Sequence, residues 1–253
     1  LLIPRLFDEV LLNSEIKGFK FRNYKTTCFS LASLPNKREI IKQKKFILNE
    51  ERVNKVLYIG ANKSALNKKS SYKTRIKFVR ILSKYKDFFC LYGKNWERRQ
   101  IPMDFPFLNI ISKVKTINYI FNKFINISYL KIYSKGKLNS KIKTQNKYDF
   151  SLAIEPYLGH PISILEKIFD PMLSGSIPLY YGPVNISIPK GCYIRLDDQT
   201  NFEKKINILK NISHNEKKIL RQNIYSFLIS KQADRYRYSS FSKFLINKIK
   251  SYQ

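Results

Sequence analysis

Acidic side chains are scarce in this 253-residue chain: 18 Asp and Glu stand against 48 Lys and Arg, leaving a formal net charge of +30. An excess of that size suits an anionic partner, either nucleic acid or an anionic membrane surface. The bases are scattered over Lys37–Lys45, Lys63–Lys77, Lys131–Lys147 and Lys204–Lys218, and they form no basic helix or aromatic–basic module. Nucleic acid is therefore not the expected partner, and peripheral attraction to an anionic membrane is a secondary effect of a solvated basic surface. Cysteine is nearly absent. Cys28, Cys90 and Cys192 are far apart and include no C-x-x-C pair, which argues against a disulfide framework and a thiolate zinc site. Cys90 and Cys192 lie in apolar runs and are expected as buried small hydrophobes in strands. The two histidines, His160 and His214, are too few for a metal cluster. Asp197 and Asp198 are adjacent, so no D-x-D triplet is present to hold a divalent ion, and no metal or other cofactor is expected. No signal peptide and no apolar run of about 18 residues occurs, which predicts a soluble or peripheral piece.

The richest stretch runs from Tyr148 to Gly182. Tyr148, Phe150, Leu152 and Ile154 alternate with Asp149, Ser151 and Ala153, the period of a strand. Glu155-Pro156 ends it, because proline cannot donate to a ladder and restricts its predecessor. Ser163 and Glu166 form S-x-x-E before apolar residues at helical spacing (Ile164, Leu165, Ile168, Phe169, Met172, Leu173), which predicts a capped helix. Pro171 predicts a kink near Lys167, and Gly175 a C-terminal cap. Ile177–Tyr181 follow as a short strand closed by Gly182-Pro183. An acid at a strand's carboxyl end and a charged pair on the next helix's first turn stand where open α/β sheets bind ligands. By pattern alone, Glu166 is equally a capping carboxylate, Lys167 a solvated residue and Glu155 an exposed turn acid.

Elsewhere the pattern predicts a strand over Val56–Gly60, a helix from Ser71 to Tyr85 and a strand over Phe88–Tyr92. Residues 96–147 read poorly. Helices are expected at 201–211, at 214–230 behind the Ser213/Glu216 capping pair, and from Tyr236 to Lys250.

The Tyr148–Gly182 stretch resembles the donor-binding motif of the α1,3/α1,4-fucosyltransferase family. The matching residues are Tyr148, Phe150, Leu152, Glu155, Glu166, Lys167, Ile168, Phe169, Gly175, Ile177, Pro178, Leu179, Tyr180 and Gly182. The likeness extends to Ile188-Pro189-Lys190, Tyr193-Ile194 and Asp197-Asp198. Upstream it takes in the strand ending in Ala61-Asn62, Arg75, Phe89–Gly93, and Gly136 with Lys141. It spans about residues 52–230, with gaps.

The resemblance implies an α/β fold of two Rossmann-like domains (GT-B type), the N-terminal one incomplete here. Its expected divisions are 1–50 as the remainder of an acceptor-side domain, 51–235 as the donor domain and 236–253 as a helix returning to the first. It implies inverting sugar transfer, with GDP-fucose as donor and a surface polysaccharide, lipopolysaccharide or glycoprotein glycan as acceptor. Arg75 and Lys167 would contact the diphosphate and Glu166 the ribose hydroxyls, while Asn62, Glu155 and Ser163 would lie around the donor. Fixed cations suit a departing diphosphate, and an acceptor-only carboxylate suits hydroxyls.

Pro156, Ser163 and Leu165 depart from the family pattern around sugar and base. A different GDP-sugar on the same scaffold therefore remains open, as does an inactive nucleotide- or nucleic-acid-binding protein. The family's base carboxylate has no Glu-Ser-Pro counterpart here and is expected upstream of Leu1; Asp8, Glu9 and Glu15 carry no motif. The expected location is the cytoplasm or the cytoplasmic membrane face in a bacterium, or the Golgi in a eukaryote.

Overall fold

The computed structural model describes residues 9–12, 25–28, 33–63, 70–96, 132–156, 166–184, 186–197 and 202–250. Two short strands, β1 (Glu9–Leu12) and β2 (Lys25–Cys28), pair in parallel. Helices α1 (Lys37–Lys42) and α2 (Lys44–Ile47) lead to β3 (Val53–Ile59), α3 (Tyr72–Ser83) and β4 (Phe89–Tyr92). Then come α4 (Lys141–Gln145), β5 (Tyr148–Ile154), α5 (Glu166–Ser174) and β6 (Ile177–Tyr181). A 3-10 turn over Lys190–Cys192 precedes β7 (Ile194–Arg195), and α6 (Phe202–Asn211), α7 (His214–Ile229) and α8 (Tyr238–Lys250) follow. Where the sequence sets an expectation, at β3, α3, β4, β5, α5, β6, α6, α7 and α8, element type and order match it to within a few residues, whereas β1, β2, α1, α2, α4 and β7 have no counterpart in it. Cys192 departs from it: the thiol is buried, but in the 3-10 turn rather than in a strand.

Strands β3 to β7 form one parallel sheet in the order β4-β3-β5-β6-β7. The chain leaves β3 toward β4 on one side and β5 toward β6 on the other. The sheet's switch point therefore lies between the carboxyl ends of β3 and β5, where open α/β sheets form their ligand crevice. Right-handed crossovers put α3 and α5 on opposite faces. Packing agrees: Phe78 of α3 meets Tyr181 and Phe202, whereas Phe169 of α5 meets Tyr236.

Strand β5 is buried along nearly its whole length, on both faces, as a central parallel strand must be. The face shared by Asp149 and Ser151 therefore needs internal partners. Ser151 Oγ pairs with Ser176 Oγ at 2.8 Å. Asp149, 4 % exposed, receives Lys217 Nζ at 2.8 Å and the Arg221 guanidinium, both from α7.

Helices α1 and α2 join this body through Ile40 and Ile47, both fully buried in the same core. Arg52 ties its lower end together. Its Nε donates to Asn49 O, Nη1 to Asn146 O and Ser174 O, and Nη2 to Phe46 O and Ile47 O. All five guanidinium hydrogens thus meet carbonyls, most of them at the negative ends of α2, α4 and α5. Burial, with the Arg221 charge second, brings the Arg52 pKa down to about 10.

Helix α5 continues through Pro171 to Ser174 and stops at Gly175, whose φ of +71° is the left-handed cap expected there. At the start of α7 the expected capping box is complete: Ser213 Oγ accepts from Glu216 N at 3.2 Å, and Glu216 Oε2 accepts from Ser213 N at 2.9 Å. Ser213→Ala should cost about 1 kcal/mol in urea denaturation. An unchanged midpoint would show the cap to be energetically silent.

Candidate functional site

The site is built from the ends of strands. Glu155 follows β5 directly, and Pro156 stops the ladder as expected. The freed carbonyls do not go to water. Ser71, fully buried and preceding α3, donates its Oγ to Glu155 O and its N–H to Pro156 O at 2.9 Å. That latch sets the first turn of α3 on the end of β5. Arg75, four residues on, occupies the same helix face and reaches Ile154 O through Nη2 at 3.5 Å. Its guanidinium lies over the Tyr72 ring, 4.7 Å from the centroid.

Arg75 is 6 % exposed, and its Nε is buried with no hydrogen-bond partner among the described residues. A guanidinium takes five acceptors and is almost never buried without an anion. Arg75 has one long bond and one ring, and no salt bridge joins it to any described carboxylate. Its charge is felt at Tyr58: burial pushes that phenol up to about 12, and Arg75 opposes the rise.

Asn62 stands at the carboxyl end of β3, 6 % exposed, with Nδ2 donating to Asn95 O at 3.0 Å and its own N–H to Lys94 O at 3.0 Å. The rim around it is tight. Trp96 Nε1 donates to Gly60 O at 2.7 Å, and Gly93, at φ +141°, lies so close that a Cβ would land on Gly60 O. Asn62, Arg75 and Glu155 are thereby gathered at the switch point.

Glu155 sits deeper than a turn acid, with no exposed surface. Its neighbour Tyr180 has a fully buried hydroxyl lacking a hydrogen-bond partner among the described residues. Burial first, and the Glu155 charge second, push that phenol far above its ordinary range. Gly182 makes room for both, since a Cβ there would overlap the Tyr180 hydroxyl and Glu155 Cγ.

Glu166 and Lys167 open α5 on the opposite face of the sheet. Lys167 Nζ meets Glu166 Oε1 at 2.8 Å, with the side chains about one-third and one-half exposed. Partial burial pulls the Glu166 carboxyl up. The hydrogen bond and charge of Lys167, its own backbone N–H and the charge of Lys141 outweigh this and hold it below the usual carboxylate range. Both residues lie at the carboxyl end of the sheet, because α5 leaves the end of β5. No hydrogen bond or ion pair links them to Arg75. Ser163, His160 and Asp198 fall outside the described residues, as do Asp8 and Glu15.

A cavity of about 830 Å³ lies elsewhere, by the amino-terminal ends of β3 and β5, and is lined by Val53, Tyr148, Lys55, Arg80 and Lys86 among others. Open α/β sheets bind ligands at the other end, which sets this basic groove apart from the switch point. Among the described residues no cluster of His, Cys, Asp and Glu is set to hold a metal, and no helix is long and apolar enough to cross a membrane.

The Asp149–Lys217–Arg221 cluster and the Arg52 clasp were not anticipated. Asp149 was visible as a lone acid in an otherwise uncharged strand. Its partners, more than sixty residues away, carry no local signature.

No family model matches the sequence, and no curated protein matches it. Solved structures do. A trehalose-6-phosphate synthase studied for glycosyl transfer with retention is 9 % identical at a TM-score of 0.54, covering 97 % of this chain and 61 % of its own. An E. coli trehalose-6-phosphate protein bound with UDP-2-fluoro glucose is 10 % identical at 0.52, covering 96 % and 61 %. An α1,3-fucosyltransferase is 16 % identical at 0.44, covering 74 % and 41 %. The chain thus spans between about two-fifths and three-fifths of the length of these relatives. Its fold is a Rossmann-like α/β domain with a five-stranded parallel sheet, matching about three-fifths of each of the two trehalose-6-phosphate structures.

Proposed function

We propose that this chain is the donor half of an inverting glycosyltransferase that binds a nucleoside diphosphate sugar, with GDP-fucose as the first candidate, at the switch point between β3 and β5. The observation that carries the reading is Arg75: a desolvated guanidinium, fixed by Ile154 O and the Tyr72 ring, with Nε left over at the ligand-binding end of the sheet. The Nε edge of such a group suits two oxygens of a phosphate.

In the reaction, an acceptor hydroxyl oxygen bonds to the anomeric carbon as the sugar–phosphate C–O bond breaks, and the bonding pair leaves on the diphosphate. Arg75, with Lys167 at the positive end of α5, offsets that growing charge. Glu166, held ionised, is an acceptor for ribose hydroxyls; Asn62 and Ser163 flank the donor, and Glu155 underpins it. The acceptor's proton passes to a carboxylate supplied outside the described residues. On this reading 51–235 is the donor domain, α1 and α2 pack into its core, the rest of 1–50 belongs to the acceptor side and 236–253 returns toward it. The acceptor is a glycan, met in the cytoplasm or at an anionic membrane face.

Pro156, at the family's asparagine position, favours a second reading in which another GDP-sugar is the donor. Its carbonyl holds Ser71 and so fixes the crevice wall. Calorimetric titration with GDP and UDP, followed by product detection across GDP-fucose, GDP-mannose and UDP-sugars, tests both readings. Arg75→Ala should weaken nucleotide binding about 10- to 100-fold, the range of a charge-assisted pair. Lys167→Ala should weaken it less, because its ammonium is part-exposed and screened. Nucleotide affinity unchanged in Arg75→Ala would remove the basis of the assignment.

A further inference from the structure

Glu166 and Asp170 are four residues apart on α5, so their carboxylates stack on one helix face, an arrangement that by itself repels. Lys141, the first residue of α4, relieves this. Its Nζ is bonded to Asp170, with side chains about one-third and one-fifth exposed, and its charge also reaches Glu166 one turn above. Lys167 Nζ is paired with Glu166 directly. Two cations and two anions alternate, and α4 is pinned against the first two turns of α5.

We propose that Lys141 is a positioning residue for nucleotide recognition: it neutralises the Asp170–Glu166 stack and holds Glu166 as an ionised acceptor for a ribose hydroxyl. This rests on the nucleotide reading above and deepens it. Without Lys141, two carboxylates would stand within a turn of the group that receives the diphosphate. The resulting field would repel the ligand and raise the affinity of Glu166 for a proton, so that on acidification it would offer a donor where an acceptor is needed. Among the described residues, the charged groups that act on Glu166 are Lys167 of α5 itself and Lys141 of α4. Of the cations of α7, Lys217 and Arg221 are bound to Asp149 and Lys218 to Glu50, and Lys44 of α2 lies over the Tyr225 ring.

A strut that merely joined α4 to α5 would, when cut, lower stability and weaken every ligand alike. The test therefore compares GDP with its 2′- and 3′-deoxy forms by calorimetry, from pH 5 to 8, on the intact chain and on Lys141→Met and Lys141→Arg. The unaltered chain should prefer GDP over at least one deoxy form. Lys141→Met should bind GDP about fivefold more weakly at pH 7, lose most of that preference, and weaken further toward pH 5 as Glu166 takes up a proton. Lys141→Arg should restore the preference. A Lys141→Met chain that keeps the full GDP-over-deoxy preference at every pH would overturn the inference, whatever its melting temperature. An unaltered chain that binds no form of GDP would overturn the nucleotide reading, and this inference with it.

Discussion

Replacing Asp149 by alanine should strip about 3–5 kcal/mol from the folded state, the range for removing one partner of a buried ion pair. The carboxylate is the shared counter-charge of Lys217 and Arg221, whose side chains are 9 % and 2 % exposed. Arg221 Nε also reaches Gly175 O at 3.3 Å and Lys217 Nζ reaches Asn54 Oδ1 at 2.9 Å, so neither cation can swing out to water without abandoning a second bond. In a domain of this size the loss corresponds to a fall in Tm of about 6–20 °C. The control is the triple change Asp149→Ala with Lys217→Met and Arg221→Met. Removing all the charges together should recover part of the loss, because the cost comes from charge left unpaired rather than from the missing contact. A single Asp149→Ala variant melting within 2 °C of the unaltered chain would show that Lys217 and Arg221 are solvated.

The second large effect is at Gly93. Its φ of +141° is a region that residues with a side chain rarely adopt, and a Cβ there would strike the Gly60 carbonyl, backbone against backbone. Gly93 N also donates to Gly136 O at 2.9 Å, and Gly60 N to Tyr92 O at 2.9 Å, so neither strand end is free to retreat. Gly93→Ala should therefore cost about 1–3 kcal/mol in backbone strain and about as much again in overpacking. Because Gly60 O is the acceptor for Trp96 and Asn62 lies two residues on, nucleotide binding should weaken in the same variant. Thermal melting and a GDP titration on one preparation check both. Retention of Tm and affinity would mean that the rim can open at little cost.

Much of the architecture could be read from the chain. Period-2 alternation at 148–154, proline at 156, glycine at 175 and the Ser213/Glu216 pair each act within a few residues, and local chemistry of that kind leaves a local signature. Arg75 and Lys167 stand out in the sequence for another reason: they fall at the positions of a motif, and the role proposed for them at the donor rests on that resemblance together with the burial of Arg75. What was illegible is long-range. Nothing around Lys217 marks it as the partner of Asp149 rather than as one more surface lysine, and a basic composition hides buried cations among exposed ones. Glu155 has the same difficulty in reverse: a strand-end acid followed by proline looks like an exposed turn, yet it is fully buried, with Tyr180 and Gly182 brought close by strand pairing.

The Arg52 clasp bears on how the chain reaches this state. Its bonds close loops of 94 residues to Asn146 and 122 to Ser174, alongside near ones to Phe46 and Ile47. Contacts so remote in sequence carry a loop-closure penalty that must be met before they return any enthalpy. The clasp is therefore expected to form on the downhill side of the folding barrier, once three separate helices have docked. Arg52→Ala should then speed unfolding far more than it slows folding, and stopped-flow rates that change mainly on the folding side would place the clasp before the barrier.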